Sequence, residues 1–272
     1  EKVLMDFGIE PEEFKEQELL NWFDMDYTWE QETTEGIFAP WAIYKEDFQK
    51  IGGHDPLYAP QSKEDSDIFN RFVLAGYKLI QTREGCVYHM TCRGSRFADG
   101  AKRNPDGEVF MKNRETDEWL AQNQRSTRNF VRKWGTMVEH DSLLKPIITP
   151  KYNIGFKLTH SCDYNTLREL EPWCSNLYVD DMELIEDYIG LEQPDTKFNL
   201  KDKLMKTDVD NDIIVTFNDP LLVSHQNFGI LANLPKIIQD SGEVGEFELE
   251  IYNIKINKIQ TYEKELIKCN IN

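Results

Sequence analysis

Phe48-Gln49-Lys50-Ile51-Gly52-Gly53-His54-Asp55 and, a few residues on, Glu64-Asp65-Ser66-Asp67-Ile68-Phe69-Asn70-Arg71-Phe72-Val73-Leu74-Ala75-Gly76-Tyr77 form the most informative stretch of the chain. The second run reads as a well-punctuated helix. Pro60 and Ser62 mark its start, and Glu64, Asp65 and Asp67 fill a first turn where the helix dipole favours negative charge. Ile68, Phe69, Phe72 and Val73 recur at helical spacing as one apolar stripe, and Gly76 closes the helix. Asp67 reads as a cap or as the partner of Arg71 four residues on. Before it, residues 45–51 read as a helical turn, which Gly52-Gly53 ends as a C-cap and a tight turn.

On either side of this stretch the signals are shorter. Residues 11–23 read as a short acidic helix with Phe14, Leu19, Leu20 and Phe23 facing inward. Residues 36–44 form an apolar, β-prone run. Residues 77–80 and 86–89 read as short strands, and 115–134 as a long polar helix. Pro146 and Pro150 bracket a change of character that divides the chain into domains at 1–145 and 150–272. The second part alternates: strand 153–159, helix 164–170, strand 176–179, helix 182–189, strand 212–217, helix 228–239, and one long alternating strand over 246–259. The pattern is α/β, with a smaller α+β second domain. Asp180-Asp181 reads as the N-cap of the helix after it, with paired carboxylates as the alternative. Asn218 and Asp219 lie at a strand end, and His160 and His225 have no partner by spacing.

Composition narrows the class. Of 272 residues 40% are hydrophobic, enough apolar material for a core, which argues against a disordered chain. No apolar run reaches the length of a membrane span, and no signal-peptide pattern opens the chain. Forty-nine acids against 31 bases give a net charge of −18, the wrong sign for a general nucleic-acid binder. The cysteines are Cys86, Cys92, Cys162, Cys174 and Cys269, an odd number without a C-x-x-C pair. That disfavours a disulfide scaffold or zinc knuckle and points to a reducing, cytoplasmic compartment. Residues 93–133 carry 10 bases against 6 acids. Most of these bases read as the solvated face of a helix. Arg93 and Arg96 read as a local anion site.

In this order and spacing, FQKIGGHDP, EDSDIFNRFVLAGYKL and VYHMTCRGS resemble the C-terminal half of the catalytic domain of family 2 glycosyltransferases, over roughly residues 36–96. His54 stands where that family has Phe, and Pro56 where it has Glu. The resemblance implies a partial glycosyltransferase A fold within residues 1–145. It also implies transfer, with inversion, from a nucleotide-diphosphate sugar to a hydroxyl of a glycan or other acceptor. Asp65 is then the general base and Glu64 orients the acceptor. Gly53, His54 and Asp55 shape the acceptor side. His89 matches a ligand for Mn2+ or Mg2+, and Arg93, Ser95 and Arg96 lie on a loop closing over the diphosphate. The family's nucleotide-binding half, with its Asp-x-Asp, has no counterpart here. Asp24-Met25-Asp26 is the sole candidate and lies too close to Gly52. The chain is therefore expected to be the acceptor-side part of a longer enzyme of polysaccharide biosynthesis. Residues 150–272 are expected to serve acceptor recognition, homo-oligomerisation or docking. The competing expectations are a non-catalytic carbohydrate-binding or assembly module, and a metal-dependent hydrolase using Glu64, Asp65, Asp67 and His89.

Overall fold

A computed structural model of the protein describes residues 5–8, 11–25, 33–37, 39–82, 84–88, 102–103, 109–110, 117–160, 162–205 and 210–269. The elements in chain order are α1 (Glu16–Met25), β1 (Thr33–Glu35), α2 (Lys45–Lys50), α3 (Glu64–Leu74), β2 (Ile80–Thr82), β3 (Lys102–Arg103), β4 (Val109–Phe110), α4 (Asp117–Trp134), β5 (Ile154–Leu158), α5 (Tyr164–Leu170), β6 (Asn176–Tyr178), α6 (Met182–Glu192), α7 (Leu200–Lys203), β7 (Leu204–Met205), β8 (Ile213–Phe217), α8 (His225–Ser241), β9 (Gly245–Leu249) and β10 (Tyr252–Ile256). The class is mixed α/β. Two compact units form, residues 1–41 with 80–121, and residues 42–79 with 122–272.

In the first unit, β1 pairs antiparallel with β2, and β3 with β4. An aromatic knot organises the described N-terminal residues. The Tyr88 ring lies 5.4 Å from Phe7 and 5.8 Å from Phe14, its hydroxyl accepts from the Phe7 amide, and it donates to the Gly8 carbonyl at 2.6 Å. The inward set expected of the acidic helix holds only in part. Phe14, Leu19 and Phe23 are half-buried, but Leu20 is exposed, because a short helix with one partner face covers a narrow stripe. No strand covers the described part of 36–44, and Cys86, Val87 and Tyr88 lie outside any strand.

The second unit is built on a six-stranded sheet in the order β7-β6-β5-β8-β10-β9. β7, β6, β5 and β8 are mutually parallel, and β10 runs antiparallel to both β8 and β9. Register puts three apolar rungs on one face: Ile154–Ile213–Ile256, Phe156–Val215–Ile254 and Leu158–Phe217–Tyr252. All nine side chains are buried, which is why strands with period-two alternation settle in this register and no other. Gly155 is required by close approach. A Cβ there would collide with Asn211 Oδ1, whose amide group bridges Asn153 and Asn176 across the sheet.

The long strand expected over 246–259 is a hairpin, β9 and β10, folded at Glu250 and Ile251. Glu250 takes a left-handed φ of 53°, a turn without the usual glycine or asparagine signal. α7 and β7, also unforeseen, complete the edge of the sheet. Among the described residues no helix is long and apolar enough to cross a membrane, and the described cysteines are free thiols.

Candidate functional site

The glycine turn and α3 are one mechanical piece. Gly52 and Gly53 take φ of 88° and 69°, the left-handed region that glycine enters without steric cost. Behind them Arg71, with no exposed surface, reaches back from the last turn of α3. Its Nη1 donates to Ile51 O at 2.8 Å, its Nη2 to Gly53 O at 2.5 Å, and its Nε to Asp67 at 2.8 Å. The Asp67–Arg71 spacing read from the sequence is thus a buried ion pair that clamps the turn. The closing Ala75-Gly76-Tyr77 is a Schellman end: Tyr77 N bonds Phe72 O and Gly76 N bonds Val73 O. Tyr77 then donates to Asp47 at 2.7 Å, fastening α2 to the end of α3.

Asp67 holds more than Arg71. Trp134 Nε1 donates to it at 2.9 Å, Tyr58 OH at 3.3 Å, and Lys133 Nζ lies at 2.6 Å. Lys133 also pairs with Asp55 at 2.8 Å. Burial alone would push the Asp55 carboxyl up, but the Lys133 ammonium and the Leu57 amide hold it below its ordinary value. Asp55 therefore serves as a cap and ion-pair partner. Its carboxylate, that of Asp67 and the Cys269 thiol lie close enough to share a cation. The chemistry of the donor set does not suit a metal, because the ammonium of Lys133 already sits against both carboxylates.

Two acids of the motif remain outside this framework. Asp65 is half-exposed, and its carboxylate makes no hydrogen bond or ion pair among the described residues. Glu64 Oε2 is buried without any hydrogen-bond partner. Burial, then the neighbouring Asp65 charge, pushes the Glu64 carboxyl up, opposed by His54 and Lys63. Glu64 and Asp65 thus form a pair of unequal carboxyls, the arrangement from which acid and base roles are drawn. His54 is exposed, edge-on to Phe48 at 5.6 Å, and close enough for its charge to act on Glu64. Gly53 is buried, and a Cβ on it would meet the Phe48 ring at 3.1 Å. Of the sequence-derived set, His54 and Asp65 lie near Glu64, whereas Gly53 is tied to Arg71 and Asp55 to Lys133. His89, Arg93, Ser95 and Arg96 lie outside the described residues, as does Asp26, whereas Asp24 is exposed on α1.

The entry to α3 is strained. Ser62 and Lys63 both take left-handed φ, 78° and 75°, a conformation costing a side-chain-bearing residue roughly 1–2 kcal/mol. We expect Lys63→Gly to stabilise the fold by about 0.5–1 kcal/mol after the extra unfolded-state entropy of glycine is subtracted, read as a rise in the urea midpoint. A fall in midpoint would mean that the lysine stem contributes more than the strain costs.

The basic helix departs from expectation. Its sequence reads as a solvated face, yet Arg132 and Lys133 are buried and paired. Arg132 bonds Glu171 at 2.6 Å and Glu192 at 2.8 Å, and Arg128 bonds Glu192 at 2.7 Å. Lys203 joins Glu171 at 2.6 Å and Tyr188 OH donates to it at 2.9 Å. Cys162 and Cys174 are not activated nucleophiles. Burial pushes Cys162 up to about 11 and Cys174 up to about 12. Asp181 Oδ1 accepts from Leu184 N at 3.0 Å, the N-cap read from the sequence.

Compared with family models, curated proteins and solved structures, the chain matches none.

Proposed function

We propose that the chain is the acceptor-side part of a glycosyltransferase of glycosyltransferase A type. It would act on a nucleotide-diphosphate sugar, with Asp65 as general base and Glu64 orienting the acceptor. One observation carries the reading. The motif's glycines and its Asp67, Arg71 and Tyr77 are occupied in holding the fold. Gly52 and Gly53 make the turn, Asp67 and Arg71 clamp it, and Gly76-Tyr77 close the helix. Among the described residues Glu64 and Asp65 sit at the helix start outside that clamp, Glu64 with a buried Oε2 that has no hydrogen-bond partner. The resemblance assigns chemistry to the same two.

In the proposed step the acceptor hydroxyl passes its proton to Asp65 as its oxygen attacks the anomeric carbon. The bond to the diphosphate breaks, and the nucleoside diphosphate leaves with the electron pair. Asp65 is suited to this because its carboxylate is half-exposed in the first turn of α3, open to an acceptor hydroxyl. His54 and the backbone at Gly53 border the acceptor side. A divalent cation, Mn2+ or Mg2+, would supply charge neutralisation for the leaving diphosphate; by the resemblance His89 would hold it, and Arg93, Ser95 and Arg96 would face the diphosphate.

The test is nucleoside-diphosphate release, from a panel of nucleotide sugars with Mn2+ and glycan acceptors, by the longer enzyme that carries this acceptor-side part, comparing it with its Asp65→Asn variant. Release falling by about 100-fold in the variant, at unchanged thermal stability, is the expected result. Equal rates in both, or no release above the blank with any donor, would overturn the assignment.

A further inference from the structure

The sheet of the second unit builds outward from β5 to β6 to β7, and then restarts on the other side of β5 with β8. In open α/β sheets of this kind ligands enter outside the carboxyl ends of the strands, where the order reverses, because successive connections part there and leave a crevice. A cleft of about 350 Å³ lies at the carboxyl ends of β5 and β6, beside the reversal between β5 and β8, and is lined by Leu158, Thr159 and His160 at the end of β5 and by Val179, Asp180 and Asp181 after β6. None of the residues of the glycine turn or α3 contributes to it. Its volume is in the range of small-ligand sites.

Its hydrogen-bonding character is one-sided. Thr159 donates its only hydroxyl proton to Phe217 O at 2.8 Å, which ties this end of β5 to the end of β8. His160 Nδ1 lies 2.9 Å from the same hydroxyl oxygen; with the Thr159 proton on Phe217 O, the tautomer that completes this contact has its proton on Nδ1 and Nε2 free as an acceptor. Asp181 is fixed as the N-cap of α6, and Asp180 is exposed with no side-chain partner among the described residues. Carboxylates and an imidazole lone pair make a wall of acceptors above the buried side chains of Leu158 and Val179. Such a wall calls for a ligand rich in O–H donors with an apolar face, which describes a sugar ring.

Phosphate is disfavoured by the same residues. Among the described residues no lysine or arginine lines the cleft, and two carboxylates do. The α5 N-terminus, which would receive a pyrophosphate in a dinucleotide-binding sheet, is already capped by the Asp163 carboxylate through Thr166 N at 2.7 Å. The cleft groups are not converged on a shared cation either. Among the described residues the only three-ligand group is Asp55, Asp67 and Cys269, elsewhere in the fold.

We propose that this cleft is a binding site for a neutral, hydroxyl-rich sugar ring, held through vicinal hydroxyls on Asp180 and Asp181 and through His160 Nε2. The site stands apart from the transferase reading and does not depend on it. A free glycan and the ribose of a nucleoside present the same diol, so the experiment separates them. Amide shifts of Thr159, His160, Asp180 and Asp181 in the full chain are followed during titration with methyl glucoside, methyl galactoside, uridine, UDP, UDP with Mn2+, and Mn2+ alone. The expected result is saturable shifts at millimolar concentrations with a glycoside or with uridine, whichever source is correct. UDP should bind several-fold more weakly than uridine, and Asp180→Asn should weaken the neutral ligand about tenfold while leaving the circular dichroism unchanged. Three results overturn the proposal: no shift with any neutral probe up to roughly 100 mM, UDP binding more tightly than uridine, or a response to Mn2+ alone. Asp180→Asn and Asp181→Asn variants that both bind the neutral ligand as the native chain does would overturn it as well.

Discussion

Asp67→Asn is expected to cost the fold about 3–5 kcal/mol, read as a fall in the urea midpoint followed by tryptophan fluorescence. The side chain keeps its size, so no cavity confuses the result. What changes is charge. Arg71 and Lys133, both buried, share Asp67 at 2.8 and 2.6 Å, and only Asp55 remains as a carboxylate for Lys133. Arg71 keeps its bonds to Ile51 O and Gly53 O but loses the anion that neutralises it. An amide at position 67 must also point an N–H₂ toward groups that are all donors: Tyr58 OH, Trp134 Nε1, Lys133 Nζ and Arg71 Nε. A buried charge left without compensation is the costliest kind of single change. Asp65→Asn, at the start of the same helix, is the control. Its carboxylate has no partner to lose, and its effect should stay within about 0.5 kcal/mol. A loss at Asp67 no larger than at Asp65 would show that the clamp does not carry the turn.

The contrast between Asp67 and Asp65 also marks what a sequence can and cannot disclose. The start, stripe and end of α3 were legible because capping, dipole and periodicity are local. So were the Gly52-Gly53 turn and the alternation of β5 and β8. The Asp67–Arg71 pair followed from i,i+4 spacing. Its use in holding Ile51 O and Gly53 O did not, since those carbonyls lie 20 and 18 residues from Arg71. The hairpin at Glu250 stayed hidden because its left-handed residue is a glutamate, and Leu249 and Ile251 continue the apolar alternation around it. The basic charges of α4 looked solvated because their acidic partners sit 39 and 60 residues further on, just after α5 and in α6. Of the candidate site, the adjacency of Glu64 and Asp65 at the start of α3 was readable from order alone. The ion-pair role of Asp55 was not, for Lys133 is 78 residues away. The cleft beside Asp180 left only a helix-cap signal in the sequence, because a crevice is a property of strand order rather than of residue type.

Those distant partners make the second large effect. Glu171→Gln is expected to destabilise the protein by about 3–5 kcal/mol near neutral pH. Glu171 has no exposed surface and accepts from Arg132, Lys203 and Tyr188 at once, so the amide strands two cations and turns an N–H₂ toward donors. Burial alone would push its carboxyl up, but Lys203 and Arg132 hold it down to about 2, against an ordinary value of 4.5. The sign of the pH dependence follows. The folded-state value is the lower one, so the contribution is complete above pH 4.5 and is lost as pH falls from there toward 2. A shift of that size corresponds to about 3 kcal/mol. The stability gap between the native chain and Glu171→Gln should therefore narrow over the same interval, which a set of urea midpoints between about pH 6 and pH 2.5 would reveal. A gap that stays constant with pH would place the cost in packing instead of charge. Replacing the charges together offers the complementary check. In the triple variant Arg132→Met, Glu171→Met, Lys203→Met no cation of the triad is left unpaired, and Glu192 keeps Arg128 at 2.7 Å. Most of the loss should then be recovered, because a buried ion cluster is worth little more than well-packed apolar side chains and is costly chiefly when it is broken in half.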